Sequence, residues 1–163
     1  MADDTCDPVL LGGVVSGENP WQVWPRVVAT RRPDDVHREV AASGLRGRGG
    51  AGFHVAAKWA AAGRGPDTVV VANGDEGDPG SFADRLLMEA GPDRVVEGLA
   101  LACFASGAAR GVVLVCSEYP RADADEGSGL ERLCRWTPRL SGARHRHHLG
   151  RPGGLGRRIV CRR

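Results

Sequence analysis

One lysine, Lys58, stands against 21 arginines in this chain of 163 residues, and no acidic side chain follows Glu131. Long apolar runs are missing too. The least polar stretch, Gly98 to Ala109, is bounded by Glu97 and Arg110 and falls short of the ~20 apolar residues that a bilayer-spanning helix needs. Met1-Ala2-Asp3-Asp4-Thr5 is acidic and lacks a secretory pattern, so the expected address is cytoplasmic. Cysteine occurs five times, at Cys6, Cys103, Cys116, Cys134 and Cys161. An odd, scattered set argues against a disulfide frame and predicts reduced thiols. No Ser/His/Asp or Cys/His constellation suits nucleophilic catalysis.

The net charge of +2 hides a division: residues 1–131 sum to −8 and residues 132–163 to +10. The later stretch, rich in Arg, Gly, Pro, His and Leu, follows neither the helical nor the strand period. It reads as an irregular tail with three possible origins. It could be a basic nucleic-acid-binding tail, or a metal tract using His145, His147 and His148 with Cys134 or Cys161, although no spacing matches a zinc site. It could also be the product of a shifted reading frame in GC-rich DNA, the reading we favour.

What the chain has in abundance is glycine, concentrated between Ser43 and Phe53, where residues 44–52 hold five glycines and two arginines. Such a loop lets backbone N–H groups approach a ligand without a Cβ in the way. Residues 53–63 read as a helix, whose first-turn N–H groups and dipole favour an anion. Gly47, Gly49 and Gly52 fit G-x-G-x-x-G. A helix over residues 34–43, announced by Pro33, Asp34 and Asp35, precedes the loop where a dinucleotide fingerprint requires a strand.

Thr68-Val69-Val70-Val71-Ala72 then reads as a buried parallel strand. It runs into Asn73-Gly74-Asp75-Glu76-Gly77-Asp78, placing an amide and three carboxylates beyond the carboxyl end of a strand, where α/β folds bind ligands. The plainer reading is a turn in which Ser81 or Asp78 caps the next helix. Helices over residues 81–90 and 93–109 and a second strand over 111–116 complete the pattern. Alternating strand and helix predicts a parallel α/β sheet covered by helices. Residues 1–30, with Trp21 and Trp24, read as an arm or linker, residues 31–131 as the α/β domain and residues 132–163 as the tail.

These residues together resemble a known family. Ser43 to Phe53, Lys58-Trp59, Asn73 to Phe82, Asp84-Arg85, Met88-Glu89, Glu97-Gly98 and Ser117-Glu118-Tyr119-Pro120 are similar to the flavoprotein subunit of respiratory complex I. That family includes the diaphorase subunits of NAD-dependent formate dehydrogenases and NAD-reducing hydrogenases. The resemblance covers residues 30–122 and implies a Rossmann-like, incomplete FMN-binding domain. Gly47, Arg48, Gly49, Gly50 and Ala51 then lie along the ribityl and phosphate part of FMN, with Lys58 as a point charge. Asn73, Asp75 and Glu76 match positions that hydrogen-bond the flavin, and Phe53 matches an aromatic that stacks on NADH. Asp78 stands where relatives carry a glutamate that contacts the nicotinamide nucleotide.

The implied activity passes hydride from NADH to FMN and electrons onward to the iron–sulfur clusters of a multi-subunit dehydrogenase. The cofactor carries that chemistry. The family's next Gly-Glu-Glu motif, its middle domain and its four-cysteine 4Fe-4S site are not found in this sequence, which suggests a fragment. Two other functions are weighed against it: a nucleotide-binding module without turnover, and an interaction protein using its basic tail on nucleic acid.

Overall fold

Pro92 at its first turn and Gly107 at its end delimit the longest helix among the described residues, because proline has no N–H to lose at a helix start and glycine tolerates the left-handed φ of 67° found there. Around it the computed structural model describes residues 12–48, 50–115 and 157–162. In chain order these form α1 (Gly12–Val15), α2 (Val23–Thr30), α3 (Pro33–Ala42), α4 (Val55–Ala61), β1 (Val69–Gly74), α5 (Ala83–Ala90), α6 (Pro92–Ser106), β2 (Arg110–Val115) and β3 (Arg157–Arg162).

β1 and β2 pair in parallel, Val69 with Arg110 through Gly74 with Val115, and the connection between them passes through α5 and α6. This is the expected parallel pair with flanking helices. α6 lies close on the strands because Gly111 has no side chain. A Cβ there would come 2.9 Å from Leu99 Cγ and 3.1 Å from Cys103 Sγ. Val96, Leu99, Met88 and Val113 form one buried cluster, joined by Trp21, Val70 and Ala72. Each such side chain contributes about 1.5–3 kcal/mol on full burial. A second cluster joins Val27, Val36 and Ala105, with Trp59, Leu101 and Phe104 packed against it.

Three expectations change. Part of the expected N-terminal arm is helical, and α2 belongs to the core. Val27 is buried, the Trp24 and Phe104 rings meet edge to face at 6.2 Å, and Glu97 accepts the first-turn N–H groups of Val23 and Trp24. The cap that makes α2 a helix therefore comes from α6. β1 is not buried on both faces: Val69 and Val71 are exposed, whereas Val70 and Ala72 join the cluster beneath α6. Finally, residues 157–162, expected to be irregular, form β3, antiparallel to β2 with Val112 opposite Val160. A lone strand in an arginine-rich stretch carries little period, and it is pairing to β2 that defines it.

The remaining tail expectations, including His145, His147, His148 and Cys134, lie outside the described residues, as do Cys116, Ser117 to Pro120 and Gly49. Among the described residues no helix is long and apolar enough to cross a membrane.

Candidate functional site

Two loops carry the candidate ligand-binding residues. α3 delivers the chain to the first. Its N-terminus is fixed by the Arg32 N–H donating to Asp35 Oδ2 at 2.9 Å, and Gly44, at φ 66°, turns the backbone out of the helix. The glycine loop then folds on a short stem: the Gly47 N–H donates to the Phe53 carbonyl and the Val55 N–H to the Leu45 carbonyl, both at 2.9 Å, with Arg46 bridged to His54. The Arg46 guanidinium donates to the Gly52 carbonyl at 3.0 Å, tying the tip to the stem.

Gly50 and Gly52 have φ values of 107° and 60°, and a Cβ on either would meet nothing within 4 Å. Glycine is needed there for backbone conformation, and the space above the loop is open. Arg48, Gly50, Ala51 and Phe53 are exposed.

The loop does not run straight into its helix. α4 begins at Val55, after an extended His54, and has seven residues. The stem already uses the Val55 N–H, so α4 offers fewer free first-turn donors than the sequence implied. Lys58 is exposed on α4 and makes no ion pair among the described residues. α4 is held to α3 by the tilted contact of Trp59 with His37, 6.4 Å between centroids, and by the ion pair of Arg64 with Asp34. Arg64 holds the Asp34 carboxyl below its usual range through a hydrogen bond and its charge.

The second loop leaves the carboxyl end of β1, as expected. Asn73 Oδ1 accepts the Asp75 N–H at 3.2 Å, a local turn. Glu76 organises the entry to α5. Its Oε1 accepts the Ala83 N–H at 2.7 Å, the Asp84 N–H at 3.3 Å and the Ser81 hydroxyl. Glu76, rather than Ser81 or Asp78, therefore caps α5. Burial would raise the Glu76 carboxyl, but the Ser81 hydroxyl and the backbone donors at the start of α5 together hold it below the ordinary glutamate range. Burial, with the Glu76 charge adding to it, pushes neighbouring Asp84 upward. Glu76 Oε2 is buried and has no hydrogen-bond partner among the described residues. Asp75 and Asp78 are exposed.

The two loops are braced separately, the first by α3 and α4 and the second by β1 and α5. Among the described residues no hydrogen bond or ion pair joins the glycine loop to residues 75–81. Chemically, one loop offers cationic side chains and bare backbone, and the other offers carboxylate and amide groups suited to hydroxyl and N–H donors. No group of three His, Cys, Asp or Glu among the described residues could hold a metal ion. Sequence reasoning gave Arg46 no part in shaping the loop, and it missed the Ser81 contact with Glu76. Neither spacing, six and five residues, matches a capping-box signature.

Residues 40–127 match the family model described as the Nuo51 FMN-binding domain. The chain is 46% identical over 97 residues to the NADP-reducing hydrogenase subunit HndC of Solidesulfovibrio fructosivorans, covering 58% of this chain and 20% of that protein. It is 44% identical over 94 residues to an NADH-quinone oxidoreductase subunit of Rhizobium meliloti (strain 1021), covering 55% of this chain and 22% of the relative. Among solved structures, an air-oxidized NAD+-reducing [NiFe]-hydrogenase is similar with a TM-score of 0.65 and 31% identity, over 80% of this chain and 22% of that one. The chain thus spans about a fifth of the length of these relatives. Both loops fall inside the matched region, and on that agreement of sequence and fold the chain belongs to the Nuo51 FMN-binding domain family.

Proposed function

We propose that this chain is the FMN-contacting part of an NADH:acceptor oxidoreductase flavoprotein subunit, one that works with iron–sulfur partner subunits in a dehydrogenase complex. The observation that carries this reading is the family match over residues 40–127, which takes in both the open glycine loop and the acidic loop. In this reading residues 31–131 carry the FMN/NADH-binding loops, cytoplasmic and peripheral to any membrane, and of residues 132–163 the strand β3 extends the sheet beside β2.

The side chains suit the cofactor. Gly50 and Ala51 offer backbone to its phosphate and ribityl chain while the Gly47 N–H is held by the stem, and Arg48 and Lys58 supply positive charge for a dianion. Asn73 and Asp75 accept from ribityl hydroxyls and ring N–H groups. Glu76 has one oxygen committed to α5, leaving Oε2, without a partner among the described residues, for a ligand donor. Phe53, 59% exposed, presents a face on which a nicotinamide nucleotide can stack. Asp78 takes the place of a longer glutamate, one methylene short in its reach toward NADH. When bound, FMN would supply the ring that accepts hydride from NADH; the protein would position both.

A titration of FMN followed by quenching of flavin fluorescence tests this. The full chain is expected to bind, and Lys58→Ala to weaken binding about tenfold, as loss of a charge-assisted contact implies. No binding by the folded chain, or equal binding by wild type and Lys58→Ala, would reject the assignment. A second reading is binding of FMN without turnover. Anaerobic NADH separates the two: bleaching of bound flavin supports the first, and an unchanged flavin spectrum the second.

A further inference from the structure

The two edges of the sheet differ sharply in charge. In the strand order β1-β2-β3, β3 lies on one edge and carries three arginines in six residues, Arg157, Arg158 and Arg162. Charged side chains on an edge strand are a common device against further pairing. β1 lies on the other edge and, among the described residues, its strand partner is β2. From Val69 to Gly74 it has no charge and no proline, and it is β-branched through Val71. Its outward residues Val69 and Val71 are 37% and 52% exposed. An unguarded edge with exposed valines on one face is a template for another strand.

We propose that β1 pairs antiparallel with β1 of a second copy of this chain, doubling the three-stranded sheet across a twofold axis. Self-pairing suits the segment because neither strand brings a charge to the junction. The register is selected by the exposed valines. Centring the axis on Val71 sets Val69 against Asn73 of the second copy, an apolar side chain against an amide. Centring it on Val70 sets each exposed Val69 against Val71 of the second copy, and this arrangement covers apolar surface.

Sedimentation equilibrium of the full chain at low salt tests the pairing. The two position-71 side chains lie about 8 Å apart on one face across the axis, within a Debye length. Wild type should approach the mass of two copies as concentration rises. Val71→Lys and Val71→Glu, at an exposed site opposite Val112, should each sediment as one copy. An equal mixture of the two variants should return to the mass of two copies, which a folding defect would not produce. The proposal is overturned if wild type stays a single copy, if either variant alone pairs as tightly as wild type, or if the mixture remains single.

Discussion

Glu97 Oε1 accepts the backbone N–H of Trp24 at 2.7 Å, across 73 residues of sequence, and that of Val23 at 2.9 Å. Glu97 is 6% exposed. A carboxylate on α6 thus closes the open donors of α2 and sits at the positive end of its dipole.

Replacing Glu97 by alanine leaves these two N–H groups without their acceptor in a partly buried site. Glu97→Ala should cost about 1–3 kcal/mol, and Glu97→Gln, which keeps an acceptor oxygen, should cost less. Urea unfolding midpoints for the two variants check this. Equal losses would show that the hydrogen bonds are not what matters.

Met88 fills the space beside Gly74. A Cβ at Gly74 would lie 2.1 Å from Met88 Cε, 2.6 Å from Met88 Sδ and 3.2 Å from the Leu114 carbonyl oxygen. Gly74→Ala should therefore destabilise by about 1–3 kcal/mol, and Met88→Ala by about 2–5 kcal/mol through the cavity it leaves. The double variant should lose less than the two losses combined, because the new methyl enters the vacated space. A double-mutant cycle measures that coupling, and simple additivity would contradict this packing.

The acidic loop predicts two opposite pH dependences. The Glu76 carboxyl is lowered in the folded state, so its stabilisation is fully present above the unfolded value of 4.5 and is lost as pH falls below it. Asp84 is raised by burial and by Glu76, so its ionisation weakens the folded state as pH rises through that raised value. Glu76→Gln should lower stability at neutral pH and flatten the acid-side loss, whereas Asp84→Asn should raise stability at neutral pH. Chemical unfolding across the acid range decides both signs.

Arg46 shapes the glycine loop through its bond to the Gly52 carbonyl. Arg46→Ala should leave the melting temperature nearly unchanged, since the side chain is exposed, and should weaken FMN binding roughly fivefold, about 1 kcal/mol. Calorimetric titration of wild type and variant tests this. An unaltered affinity would show that the loop holds its shape unaided.

The elements most legible in the sequence were those whose signals are local. Pro33 with Asp34 and Asp35 marks α3, the valine runs mark β1 and β2, and Pro92 with Gly107 brackets α6. α2 carries no local helix signal because its cap, Glu97, is remote in sequence. The strand character of residues 157–162 was hidden because only pairing with β2 defines it. In the site, both loops could be found from glycine and carboxylate spacing. The work of Glu76 in holding α5 was not legible, since a carboxylate that binds and one that caps look alike in a sequence.

α6 contributes Val96, Leu99 and Cys103 to one apolar cluster and Leu101, Phe104 and Ala105 to the other. A helix shared in this way leaves neither cluster able to open alone: separating α2 and α3 from it strips one side of the same rod that β1 and β2 need on the other. The amino-terminal helices and the parallel strands should therefore behave as one cooperative unit, their slowest amides exchanging with solvent only when the whole chain unfolds.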